Sequence, residues 1–269
     1  MSADESSPPA LGECDGDRMG ASPLCPRLAM IADELEERAS RGRLALATVY
    51  DIGADHAMLL VWLLRHGICS EAVATDINSG PLIKAAGNIE RAGLGGAIRL
   101  VRCDGLQGLG GLGPDTAVVA AGMGGTTLAG ILERGQANAR RAGIIALQPM
   151  NNHGTLRRAL AELGYAVERE RLAVDGGRVY VAIFCRWSGE PQSHTPAEYA
   201  IGKGEPYGTR DACMRYLKFA RKIASNRHGG LLALAREGGL AAAESSELAE
   251  LEHVLRHIDA RMARMGVHG

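Results

Sequence analysis

The sequence predicts an α/β protein: a Rossmann-like, doubly wound sheet, mostly parallel, closed by an antiparallel strand pair and followed by a small α-helical, coiled-coil-like unit. Three observations carry this reading. Apolar runs of strand length alternate with amphipathic helical stretches from residue 46 to residue 163, the pattern of right-handed β-α-β crossovers. Two consecutive strand-like runs then follow, joined through Asp175-Gly176-Gly177, a hairpin sequence. Beyond Asp211 the apolar residues recur three and four apart, which is helical spacing with a seam.

Taken in order, residues 1–22 carry Ser, Pro, Gly, Asp and Glu with few apolar side chains and read as a solvated tail. They lack the basic start and apolar run of a signal peptide. Pro26 to Arg41 reads as an amphipathic helix, with Leu28, Ile31, Ala32 and Leu35 on one face and Pro26 in its first turn. Strands are predicted at 46–52, 72–76, 97–102, 116–121 and 143–148, and helices at 56–66, 81–93, 125–141 and 152–163. Gly67 and Gly164 fall where helices should end. The strands are apolar almost throughout, as expected of a parallel sheet covered on both faces. The closing pair is predicted at 165–172 and 179–187. Such an ending is typical of S-adenosylmethionine methyltransferases and not of dehydrogenases.

Residues 188–208 are rich in Gly, Pro and Ser and read as a linker. The expected domains are therefore 23–187, a linker over 188–210, and a helical unit over 211–269. Leu248, Leu251, Leu255, Ile258, Met262 and Met265 form an a/d seam that needs a partner, and Leu217, Ala220, Ala224, Leu231 and Leu234 offer a rougher one. An antiparallel hairpin bending at 238–243 is expected, with two ordinary helices packed on the main domain as the alternative.

Bulk chemistry excludes several classes. The chain has 269 residues, 46% hydrophobic, with net charge −1. This is one ordinary α/β domain plus something smaller, without the basic field of a general nucleic-acid binder. Aromatic content of 4% argues against a base-stacking sheet. The six cysteines are scattered without a CxxC pair, so no metal site is expected and a reduced, cytoplasmic setting is the simpler reading. No apolar run is long enough to span a membrane.

The candidate ligand site follows from the strand ends. The first turn reads Asp51-Ile52-Gly53-Ala54-Asp55-His56-Ala57. A glycine after a buried strand lets the backbone bend under a ligand, and the next helix aims its N-terminus there. The dinucleotide pattern GxGxxG fails, because Asp55 stands at its second glycine position. A carboxylate there repels a pyrophosphate but tolerates the cationic sulfonium and amine of S-adenosylmethionine. Asp76 ends the second strand, where an acid can hold ribose hydroxyls, with Ile77 beside it. Asp104-Gly105 follows the third strand, an acid for an adenine amino group with room for the ring. Each acid alone serves equally well as a helix cap or turn residue; three at consecutive strand ends favour a crevice. Ala121-Gly122-Met123-Gly124-Gly125 allows close backbone approach or is simply a flexible turn. Gln148 and Asn151 offer donor and acceptor groups suited to a base edge, with helix capping by Asn151 or Asn152 as the alternative. His56 either stacks on a base or contacts phosphate, or is an ordinary first-turn residue.

Arg215, Lys218, Arg221, Lys222 and Arg227 lie in a stretch without an acid from Ala212 to Arg236. Positions 215, 218 and 222 share a helix face, giving a stripe aimed at phosphates or a solvated outer face. Arg157 and Arg158 form a second basic patch near the site edge.

Pro26-Arg27-Leu28-Ala29-Met30-Ile31-Ala32, Asp51 to Ala57, Asp104-Gly105-Leu106, Ala121 to Gly125 and Gln148-Pro149 together resemble the bacterial tRNA (adenine(22)-N1)-methyltransferase family, over roughly residues 26–187. The resemblance implies S-adenosylmethionine as cofactor, held against Asp51, Gly53, Asp76, Ile77, Asp104, Gly105, Ala121 and Gly122. It implies tRNA as partner, gripped in part by the helical C-terminal unit, and it makes Asp55 the expected catalytic residue. It implies N1 of an adenine as target, flipped out of any pair to react. Departures are the Met150-Asn151-Asn152 run after Pro149, where the family more often has Asn directly, the partly matching segment 199–208, and the C-terminal unit, which matches by pattern alone. A methyltransferase of a small molecule or protein, and a non-catalytic RNA-binding protein of the same fold, are the alternatives. A monomer is expected, with pairing through the C-terminal helices left open.

Overall fold

The computed structural model describes residues 24–42 and 45–266; the expected tail at 1–22 lies outside the described residues. Helix α1 (Pro26–Ser40) leads into β1 (Thr48–Ile52), α2 (Met58–Arg65), β2 (Glu71–Asp76), α3 (Ser79–Arg91), β3 (Ile98–Arg102), β4 (Thr116–Met123), α4 (Gly125–Arg134), α5 (Gln136–Ala139), β5 (Ile144–Pro149) and α6 (His153–Glu162). The hairpin strands β6 (Tyr165–Asp175) and β7 (Arg178–Trp187) follow, then α7 (Pro196–Ile201), α8 (Arg210–Glu237) and α9 (Ala242–Gly266).

The strands form one sheet in the order β3-β2-β1-β4-β5-β7-β6. β1 to β5 pair parallel, while β7 runs antiparallel to both β5 and β6. This is the predicted architecture, and its physical cause is visible in the alternation along each strand. Tyr50, Ile52, Val118, Ala120, Ile145 and Leu147 pack on one face with α4 and α6. Val49, Ala72, Ala74, Ala117, Val119, Ile144 and Ala146 pack on the other with α1, α2 and α3. Both faces are covered, so the central strands read as unbroken apolar runs.

Several boundaries differ from expectation. The helix expected at 125–141 breaks at Gly135 into α4 and the single-turn α5. The helix expected from residue 56 begins at Met58, because Ala57 adopts a left-handed conformation with φ 51°. The stretch expected as a linker contains α7, which Thr195 and Glu198 start with a reciprocal capping box and whose Ala197 and Ile201 are buried. Tyr207 then pairs with the β6 backbone through Leu172 N–H to Tyr207 O and Tyr207 N–H to Glu170 O, which covers an otherwise open sheet edge.

α8 and α9 form an antiparallel pair: Arg221 meets Asp259 and Arg227 meets Glu247, so positions advance along one helix as they recede along the other. Ala224, Leu231, Val254 and Ile258 fill the seam, with Leu251, Leu255, Met262 and Met265 partly buried beside it. Leu234 is exposed rather than in the seam. The first turns of α8, through Cys213, Tyr216 and Leu217, join the same core as α6 and β6.

Candidate active site

Parallel pairing places the carboxyl ends of β1 to β5 on one edge, and the strand order reverses between β1 and β4. A crevice opens at such a reversal because the crossovers on either side leave toward opposite faces. Two glycines wall it. Gly53 has φ 75° and Gly122 φ 79°, a region that side-chain-bearing residues avoid. A Cβ on Gly53 would lie 2.2 Å from Met123 Cε, and one on Gly122 would lie 2.9 Å from Arg27 Nη1. The turn after β1 is anchored to β2, since Gly53 and Ala54 both donate to Thr75 O at 2.8 and 2.9 Å.

The acids line this edge. Asp51 is buried near the end of β1, and desolvation pushes its carboxyl up to about 7. Such a group welcomes a cation, whose charge replaces the lost hydration of the carboxylate. Asp55 is half exposed, 3.1 Å from His56 Nε2 and 4.0 Å from Lys84 Nζ. α3 holds this loop a second time, because Asn88, one turn beyond Lys84, donates to His56 O at 2.9 Å. Asp76 accepts from the Asn78 N–H at 2.7 Å, which pins its carboxylate at the start of α3, and Ile77 stands exposed beside it. Asp104 pairs with Arg134 at 3.2 Å, and Gly105 lies against Ile131.

Other expected residues sit differently. Gln148 is completely buried. Its Oε1 accepts from Gly122 N–H at 3.1 Å and from Arg27 at 3.2 Å, and its Nε2 donates to Pro149 O at 2.9 Å. It therefore braces the Gly122 turn and presents no free group to a base. Asn151 is exposed at the crevice rim, with its carbonyl accepting from Gly125 N–H. Arg157 is not a surface patch: it is 3% exposed and bonds Glu170, Tyr216 and two carbonyls. Arg158 stacks over Tyr199, 4.3 Å from the ring centroid. Of the basic stripe, Arg215 pairs with Asp211, Arg221 with Asp259 and Arg227 with Glu247, while Lys218 and Lys222 are exposed.

Two features at this edge were not anticipated. His153 packs edge-on against Tyr216 and Phe219 of α8, and burial, with the nearby Arg157 charge, pulls its imidazole down to about 4. Lys84 reaches Asp55 only through the fold, twenty-nine positions along the chain by residue number; helix periodicity alone gave no reason to pair them. The helical unit thus touches the crevice rim through α8.

A model of a methyltransferase domain matches residues 24–183, which span α1, the parallel strands and most of the closing hairpin. The chain belongs to this methyltransferase-domain family. Among curated proteins, the tRNA (adenine(22)-N(1))-methyltransferase of Bacillus subtilis (strain 168) is 33% identical over 134 residues, covering 50% of this chain and 56% of that protein. The chain thus spans little more than half the length of that curated relative. Among solved structures, that of the B. subtilis m1A22 tRNA methyltransferase TrmK shares 22% identity with a TM-score of 0.64, covering 89% of this chain and 98% of the other. A Streptococcus pneumoniae protein solved in complex with S-adenosyl-L-methionine shares 23% identity with a TM-score of 0.65, covering 85% and 98%. These two likenesses establish the fold of the methyltransferase domain together with its C-terminal helices. No helix among the described residues is long and apolar enough to cross a membrane.

Proposed function

We propose that this methyltransferase-domain protein is an S-adenosylmethionine-dependent tRNA methyltransferase acting on N1 of an adenine, with position 22 as the expected target. One observation carries the reading: Asp51, Asp76 and Asp104 line one sheet edge around the glycine-walled turns at Gly53 and Gly122. The donor set suits the cofactor. Asp76 can accept from ribose hydroxyls, Asp104 from an adenine amino group, and buried Asp51 from a cationic amine. The 33% identical B. subtilis relative supports tRNA as substrate.

When bound, S-adenosylmethionine supplies a methyl group already activated on a sulfonium, so the chain's own task is chiefly to position and to stabilise charge. Adenine N1 becomes cationic on methylation. Asp55, half exposed at the crevice mouth, is assigned to face that charge and to accept an N6 proton afterwards. His56 and Lys84 hold the carboxylate in place. Lys218 and Lys222 are assigned to RNA phosphates. The reading carries with it a cytoplasmic monomer.

The test is transfer of labelled methyl from S-adenosylmethionine to unmodified bulk bacterial tRNA, followed by nucleoside analysis. Labelled 1-methyladenosine is the expected product. Cofactor binding with no label in RNA points instead to a small-molecule or protein substrate, a reading favoured by the pairing of three of the five stripe cations with acids.

A further inference from the structure

We propose that Arg27 receives the α-carboxylate of the cofactor's methionine arm. This rests on the reading of the crevice as an S-adenosylmethionine site.

Arg27 is held at both its backbone and its guanidinium. Pro26 begins α1, presetting the backbone there. The guanidinium reaches across to the ends of β4 and β5, where Nη1 donates to Gln148 Oε1 at 3.2 Å. The same oxygen accepts from Gly122 N–H at 3.1 Å. Gln148 has no exposed surface, so the arm is held by a rigid buried amide. Nη1 also lies 2.9 Å from the place a Cβ on Gly122 would take; the absent side chain leaves the guanidinium against bare backbone.

Charge balance supplies the second argument. The cofactor has two cationic groups, a sulfonium and an ammonium, and one carboxylate. The strand ends offer Asp51, Asp55, Asp76 and Asp104, which suit cations, hydroxyls and amines and repel an anion. Of the other cations at this edge, Lys84 lies 4.0 Å from Asp55 and Arg134 3.2 Å from Asp104, while Arg102, donating to Ile77 O at 3.1 Å, stands at the far β2–β3 end beside Asp76. Arg27 forms no ion pair with an acid among the described residues. Its hydrogen bond to Gln148 is to a neutral carbonyl, which leaves its charge uncompensated and further donors of the fork for a bidentate carboxylate. It stands at the Gly122 turn, on the β4 side of the reversal, away from the ribose and adenine acids on β2 and β3. A ligand stretched along the edge therefore brings its amino-acid end to Arg27.

The test is calorimetric binding of S-adenosylhomocysteine and of its decarboxylated analogue, which lacks only the carboxylate, to the wild type, Arg27→Lys and Arg27→Met. The wild type should prefer S-adenosylhomocysteine by about tenfold or more, the size of a partly desolvated charge-assisted contact. Arg27→Met should erase that preference by weakening S-adenosylhomocysteine alone, and Arg27→Lys should keep part of it as a point charge. Equal weakening of both ligands would make Arg27 a brace of the Gly122 turn and overturn the proposal, as would an unchanged preference in Arg27→Met. Failure of the wild type to bind either ligand would overturn the cofactor reading, and the proposal with it.

Discussion

Arg157 of α6 grips Glu170 of β6 with two parallel hydrogen bonds, Nε to Oε1 at 2.7 Å and Nη2 to Oε2 at 2.8 Å. The pair is buried, and the same guanidinium reaches Tyr216 of α8 at 2.7 Å and the carbonyls of Tyr199 and Ala200 at 3.2 and 3.0 Å. One side chain thus joins the sheet, α6, α7 and α8. Removing a single partner strands a buried charge. Glu170→Ala should lower unfolding free energy by about 3–5 kcal/mol. Urea denaturation followed by circular dichroism measures this; a loss under about 1 kcal/mol would mean that water compensates Arg157 and that the pair ties nothing together.

Asp51 predicts a pH effect with a definite sign. Burial raises its carboxyl from 3.8 to about 7, so between those values the folded chain holds a proton that the unfolded chain has released. Stability from this group is therefore lost as pH rises through that window and is flat above it. The denaturant midpoint of the wild type relative to that of Asp51→Asn should decline as pH rises from 4 to about 7 and level off above, the His153 contribution being common to both. Because an amine-bearing ligand favours the ionised acid, S-adenosylhomocysteine affinity should rise between pH 6 and 8 in the wild type only. Identical slopes for the two proteins would show that Asp51 does not titrate there.

His153 has the opposite sign. Its imidazole is pulled from 6.5 to about 4, so the unfolded chain takes up a proton that the folded one refuses. Stability contributed by the neutral ring is present above 6.5 and is lost as pH falls toward 4. His153→Gln should flatten this limb in acid denaturation while leaving the midpoint at pH 8 less affected. A wild-type and variant that lose stability in parallel below pH 6.5 rule the assignment out.

Asp55 is predicted to act on turnover. Its half-exposed carboxylate lies beside His56 and Lys84 and takes no part in the backbone hydrogen bonds to Thr75 from which the Gly53 turn hangs. Asp55→Ala should reduce kcat by roughly 10²-fold or more, in the range of a lost general base or charge stabiliser, with cofactor affinity changed by less than about threefold. Loss of cofactor binding with no separate effect on rate would remove it from the chemistry.

The basic stripe divides into two kinds of residue. Lys218→Glu with Lys222→Glu should weaken tRNA binding and reduce its salt dependence by about one to two counterions. Arg221→Glu should instead disturb the α8–α9 pair, because it meets Asp259 at 2.6 Å. Filter binding across a salt series separates them; an unchanged slope in the lysine double variant means the face is merely solvated.

The fold was open to reading from residue order alone because its causes are local. Strands buried on both faces must be apolar, helices between them must be amphipathic, and the doubled glycine after Asp175 announces the hairpin. The positions of the acids at 55, 76 and 104 were legible for the same reason: a strand end and the turn after it are local features, and parallel pairing carries every such end to one edge; the burial of Asp51 was not. Even the seam between α8 and α9 followed from spacing, although Leu234 falls outside it.

The charges behave otherwise, since what neutralises an arginine is whatever the fold brings within a few ångströms, from any distance along the chain. The run without an acid between Ala212 and Arg236 looked bare, yet α9 supplies Asp259 and Glu247 across the hairpin. Arg157 looked like surface and is core, because β6 delivers Glu170 to it. Gln148 looked like a reader of bases and is a buried strut between Arg27 and Gly122. Residue order was sufficient for the sheet and for where the acids fall along its carboxyl edge, where each residue's neighbours on its own element set its place. Which cations remain available for a ligand was settled by packing between elements, because Coulomb attraction and desolvation depend on distance and burial in three dimensions and not on separation in sequence.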